Sequence, residues 1–129
     1  MLELALLSPW IIFLFIGAFD WGFYAYSLIT LETATRNTAL WTSQSTGNAG
    51  DTANACTVLL NEMSTLSNMG SVTSCTSSPL VLSLSTITGP DNANASQVDV
   101  AYTTPTLIPI PGLLGNQFTL RRTVKIRIS

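Results

Sequence analysis

The chain has 129 residues, about one domain's worth, with 5 basic residues, 7 acidic residues and no histidine. A formal net charge of −2 leaves no electrostatic footprint for nucleic acid, and without histidine there is no His-bearing zinc site and no Ser-His-Asp or Cys-His catalysis. Charged residues make up 9% against 47% apolar types, with 14 Ser and 18 Thr besides, a balance suited to lipid or to a polymer rather than to an enzyme.

The first predicted element is apolar from Leu4 to Phe19 apart from Ser8 and Pro9, and eight of the eleven aromatics lie between Trp10 and Tyr26. As a helix this run covers about 24 Å, a little short of a hydrocarbon core. Trp21, Phe23, Tyr24 and Tyr26 then supply rings that suit a membrane–water boundary. Glu3 stands where a secretory signal would carry basic residues, which argues against a cleaved signal peptide. Pro9 lacks an amide donor and is expected to kink or locally open the helix. Further on, Tyr24, Leu28, Leu31, Ala34, Thr38 and Trp41 recur at three- and four-residue steps and form one stripe. Glu32 precedes Arg36 by four positions, a favourable helix pair. A helix from about residue 2 to about 44 would be roughly 65 Å long, too long for a small globular core. Its first half must therefore meet lipid or copies of itself, and a version starting near Leu31 is expected to be soluble.

A second helix is predicted from about Thr52 to Asn68, with Asp51 as N-cap, Cys56, Leu59, Met63 and Leu66 on one face, and Gly70 ending it. The period then changes to two. Leu80, Leu82 and Leu84 alternate with Val81, Ser83 and Ser85, and Gly89-Pro90-Asp91-Asn92 reads as a turn. Val98, Val100 and Tyr102 alternate with Gln97, Asp99 and Ala101. The last strand sets Phe118, Leu120, Arg122, Val124, Ile126 and Ile128 against Thr119, Arg121, Thr123, Lys125 and Arg127. Arg122 interrupts an apolar row, so it is expected to pair with an acid such as Asp99 or to snorkel to the sheet edge. Three such strands predict a small antiparallel sheet with its apolar side on helix. The fold class is α+β: residues 1–45 form a hydrophobic helical stem and residues 46–129 an α+β head.

Cys56 and Cys75 are the only cysteines, and an even pair in a secreted chain reads as a disulfide. Neither has a histidine or a close second ligand pair, so no metal site and no cofactor are expected. Asn94-Ala95-Ser96 has the pattern of a glycosylation sequon, though chance triplets are common in a Ser-rich chain. Asp91, Asn92, Asn94 and Asp99 match no calcium loop and read as a polar turn. The segment from Thr104 to Leu114 holds three prolines among Leu and Ile, and is expected to pack on the stem or on a neighbouring subunit.

Two stretches of the stem, Glu3-Leu4-Ala5-Leu6-Leu7-Ser8-Pro9 and Gly17-Ala18-Phe19-Asp20-Trp21-Gly22, resemble the TadE-like pilins of tight-adherence, type IV-related pilus systems. Ala34-Thr35-Arg36-Asn37-Thr38-Ala39 resembles the Ala/Arg-rich stretch that follows in that family. The resemblance covers residues 3–39 and implies a type IV pilin-like fold. It also implies a non-enzymatic structural subunit of an extracellular pilus-like filament serving surface adhesion. Its partners would be copies of itself, other pilins and the assembly machinery, with an inner-membrane pool before assembly. A membrane-anchored accessory protein of an envelope secretion or pilus-assembly complex, one that never polymerises, is the alternative. Family precursors carry a basic leader removed by a prepilin peptidase, so Met1 is expected near the mature end. The resemblance implies that Glu3 meets the free α-amino group of a neighbouring subunit. Physical chemistry points the same way, because carboxylates at Glu3 and Asp20 are costly in an apolar segment with no basic residue before Arg36. Ala18 and Gly22, with Gly17 beside them, form a small-xxx-small pair that lets stems approach closely. Glu3, Pro9, Gly17, Ala18, Asp20 and Gly22 are accordingly the expected subunit contacts.

Overall fold

The computed structural model describes residues 2–106, 108 and 117–129. Helix α1 spans Leu2–Thr42 and runs on through Pro9. A short helix α2, Thr46–Gly50, follows, and Ser45 caps it by accepting from the Asn48 amide at 3.1 Å. The sequence reads this segment only as the place where the helical pattern ends. Helix α3 spans Thr52–Met63. Its N-cap is the expected Asp51, whose carboxylate accepts from the Asn54 amide at 3.0 Å. The helix stops seven residues before Gly70, and single turns closed by the Leu66, Met69 and Val72 amides carry the chain onward. Leu66 and Met69 still reach the core from these turns.

Four strands follow: β1 Thr76–Ser77, β2 Leu80–Thr88, β3 Asn94–Thr103 and β4 Thr119–Arg127. They pair antiparallel in sequence order, one strand more than expected because of the short β1. Leu82 stands opposite Val100, and Val100 opposite Arg122. Leu80, Leu82, Val98, Val100, Tyr102 and Leu120 turn inward as the period of two requires. The sheet lays this face on α1, and α3 packs beside α1.

The expected stripe on α1 is the helix's contribution to that core. Leu31, Ala34 and Thr38 are fully buried, and Tyr24, Leu28 and Trp41 are partly buried against them. Helix hydroxyls face apolar surroundings here without loss, since Thr35 and Thr38 donate to the Leu31 and Ala34 carbonyls at 2.7 and 2.8 Å. Two contacts close the far end. The Ser96 hydroxyl donates to the Thr42 hydroxyl, and the Ser129 amide donates to the Ser43 carbonyl at 3.0 Å. Burial of the Ser96 hydroxyl leaves the Asn94-Ala95-Ser96 triplet as part of a strand.

Arg122 does not pair with Asp99. The two side chains leave opposite faces of the sheet, and Asp99 is already engaged by the Thr123 hydroxyl and, at 2.7 Å, by the Gln97 amide. Arg122 is exposed at the sheet edge instead, and Arg121, Lys125 and Arg127 form the expected solvent-facing row. Thr104 stays buried, and its hydroxyl accepts from the Phe118 amide at 3.0 Å. Leu107 and residues 109–116, most of the expected apolar loop, lie outside the described residues.

Candidate functional site

The stem divides at Asp20. Before it, Leu6, Trp10, Phe13, Leu14, Phe15 and Phe19 are all exposed. A run of apolar side chains exposed on every face of a helix marks a surface for lipid or for protein contact. By length and composition this helix can cross a membrane. Glu3, Pro9, Ala18 and Gly22 are exposed as well, and Gly17 is half-exposed. A Cβ added at Gly17 or Gly22 would meet nothing within 4 Å. Within one chain, then, no close contact requires a glycine at either position, although each costs helix stability.

Asp20 differs from the other expected contacts. Its side chain is only 2% exposed, enclosed by its own chain. It sits one turn before Tyr24, whose ring meets Phe118 edge-on at 5.7 Å. Ser27, fully buried, follows on the same face. Thr30 and Thr33 satisfy their hydroxyls at the carbonyls four residues back. Among the described residues, Asp20 Oδ2 and Ser27 Oγ have no such partner. Extending the buried stripe back one turn from Tyr24 would have pointed to Asp20 as an interior residue. Its charge suggested an interface instead.

The structure joins Cys56 of α3 to Cys75 just before β1, with Cα atoms 5.8 Å apart. This bridge ties the helical layer to the start of the sheet. Elsewhere the head carries polar side chains in structural roles. The Tyr102 hydroxyl donates to Asn68, whose amide donates to the Thr103 carbonyl at 3.0 Å, and burial raises the Tyr102 pKa. The Thr123 and Gln97 hydrogen bonds, followed by nearby Lys125 and Arg121, hold the Asp99 carboxyl below its ordinary range. Hydrogen bonds from Asn54 do the same for Asp51. Among the described residues no group of three His, Cys, Asp or Glu side chains could hold a metal.

An exposed apolar half-helix continuing into a helix-plus-sheet head defines a pilin-like α+β protein. Residues 1–40 match the family described as TadE-like protein, over the segment that holds the Glu3–Pro9 and Gly17–Gly22 motifs. This match supports a TadE-like, Tad pilus-associated protein. No curated protein and no solved structure matches the chain.

Proposed function

We propose that this chain is a pilin, a non-enzymatic structural subunit of an extracellular pilus-like filament used in surface adhesion. One observation carries the reading: the exposed apolar face of α1 up to Phe19, with open space at Gly17 and Gly22. Lipid covers that surface before assembly, and the stems of other copies cover it afterwards. In this reading residues 1–45 are the stem and 46–129 the head, and the second half of the stem serves as the head's central helix. Glu3, Pro9, Gly17, Ala18 and Gly22 meet neighbouring stems. The cation for Glu3 is the α-amino group of an adjacent subunit, since Arg36 lies about 50 Å away along the helix. Asp20 acts within its own subunit, where it is enclosed.

The same helix also supports a second reading, a single-pass anchor for an accessory protein of the pilus-assembly complex. Electron microscopy of sheared cell-surface material, labelled with antibody to the head, separates the two. Label along filaments is expected. Label confined to membrane would leave only the anchor reading.

A further inference from the structure

The face of the sheet turned away from the helices carries a shaped hollow. Directly opposite residues share a face. Val81, Ala101 and Arg121 therefore form one cross-strand row there, Ser83, Asp99 and Thr123 the next, and Ser85, Gln97 and Lys125 a third. Ala101 is the small member of its row. Its methyl leaves a depression between Val81 and Arg121 that runs on to Ser83, Asp99 and Thr123, with a volume of about 240 Å³. That is below the roughly 300–1,000 Å³ of a drug-sized site and suits one ring-sized group.

Each side of the hollow offers a different chemistry. Val81 is an exposed apolar side chain at one end of its row, and Arg121 is an exposed guanidinium at the other. The Ser83 hydroxyl and the Asp99 carboxylate belong to the row beside them. Asp99 accepts from the Thr123 hydroxyl on Oδ1 and from the Gln97 amide at 2.7 Å on Oδ2, which fixes its position. A carboxylate has about four acceptor sites, so Asp99 keeps room for further hydroxyl donors. Beyond it, exposed Lys125 repeats the cation. The Arg121 and Lys125 Cα atoms are about 14 Å apart along the strand, and Asp99 lies level with Thr123 between them. Among the described residues neither cation is in a salt bridge, whereas Arg127 takes Asp91 at 3.2 Å.

A cation, then an acid with hydroxyls, then a second cation is poor ground for a phosphate polymer. Such a chain presents an anion at every step and would bring one against Asp99. A chain of acidic sugars carries hydroxyls as well as carboxylates on each ring, and can turn the former to Asp99. The distance between the cations exceeds one ring, so a polymer and not a free sugar meets both. We propose that this hollow binds a uronic-acid polysaccharide. One ring sits over Ala101 and against Val81, with its carboxylate on Arg121 and its hydroxyls on Ser83 and Asp99, and a later carboxylate reaches Lys125. The site belongs to the head alone, so it goes beyond the filament reading and stands or falls separately from it.

Full-length protein in detergent micelles is passed over immobilised polygalacturonate, with dextran and single-stranded DNA as the neutral and phosphate polymers. Polygalacturonate is expected to retain it at about 0.1 M salt, and the other two are not. Arg121→Gln and Ala101→Leu should each weaken retention about tenfold, the first by removing a charge-assisted hydrogen bond and the second by filling the hollow. Arg36→Gln removes the same charge from α1 and should bind like wild type. The Cys56–Cys75 bond and the unfolding midpoint serve as folding controls. The proposal is overturned by no retention on polygalacturonate, by equal retention on DNA or dextran, or by an equal loss in Arg36→Gln. Wild-type binding by Arg121→Gln or by folded Ala101→Leu would overturn it as well.

Discussion

The Ser96 hydroxyl donates to the Thr42 hydroxyl at 2.9 Å, and both side chains are fully buried where the last turn of α1 meets β3. Thr42 passes the chain of bonds on to the Ala39 carbonyl at 3.0 Å. This pair joins helix and sheet through polar atoms in an otherwise apolar layer. Thr42→Val should cost about 1–3 kcal/mol, because it leaves the Ser96 hydroxyl buried without its acceptor. Adding Ser96→Ala should recover part of that loss. Urea unfolding of the detergent-solubilised chain would measure both, and equal stability of Thr42→Val and wild type would contradict the pairing.

A head starting at Leu31 lacks Tyr24, Ser27 and Leu28, which the structure places against the core. Such a truncation should be less stable by about 2–4 kcal/mol than one starting near Phe19, given the half-buried rings and side chains removed. Thermal unfolding of the two soluble versions makes the comparison. Equal melting temperatures would show that the extra turns of α1 contribute nothing.

The Cys56–Cys75 bridge closes a loop with a sequence separation of 19. Replacing both cysteines with alanine should cost about 3 kcal/mol on a chain-entropy argument. Denaturant midpoints with and without reductant test this, and intact mass should rise by two hydrogens per chain on reduction. Free thiols in unreduced filaments would remove the prediction.

Acid should destabilise the head through Asp99 and Asp51, both held below the ordinary value of 3.8 by hydrogen bonds to the ionised form. A lowered folded pKa stabilises the head fully above that value, and the contribution is lost as pH falls through the folded pKa. Tyr102 works in the opposite direction. Burial raises it from 10.0, so its contribution is present below that value and disappears as pH rises through the folded pKa. Denaturant midpoints from pH 2 to 6 should show a smaller acid loss in Asp99→Asn. An identical acid limb would assign the effect elsewhere.

Glu3 should matter to assembly rather than to folding. Glu3→Gln and Glu3→Leu are expected to lower filament incorporation while leaving the Cys56–Cys75 bond and head stability unchanged. Wild-type incorporation of both would end the pairing with an adjacent amine. If only the leucine variant assembles normally, burial and not charge is what the position supplies.

The apolar run before Phe19, the stripe from Tyr24 to Trp41 and the alternation in β2, β3 and β4 were all legible in the sequence, because period and hydropathy are local properties of the chain. So were the Asp51 cap and the exposed parity of Arg121, Lys125 and Arg127, which a strand's two-residue period determines without any partner. The tertiary structure alone decided which side chains meet. It enclosed Asp20, whose charge by itself points outward, one turn before the start of the stripe read from the sequence. It placed Asp99 on the face away from Arg122, since strand register sets which of two nearby residues share a side.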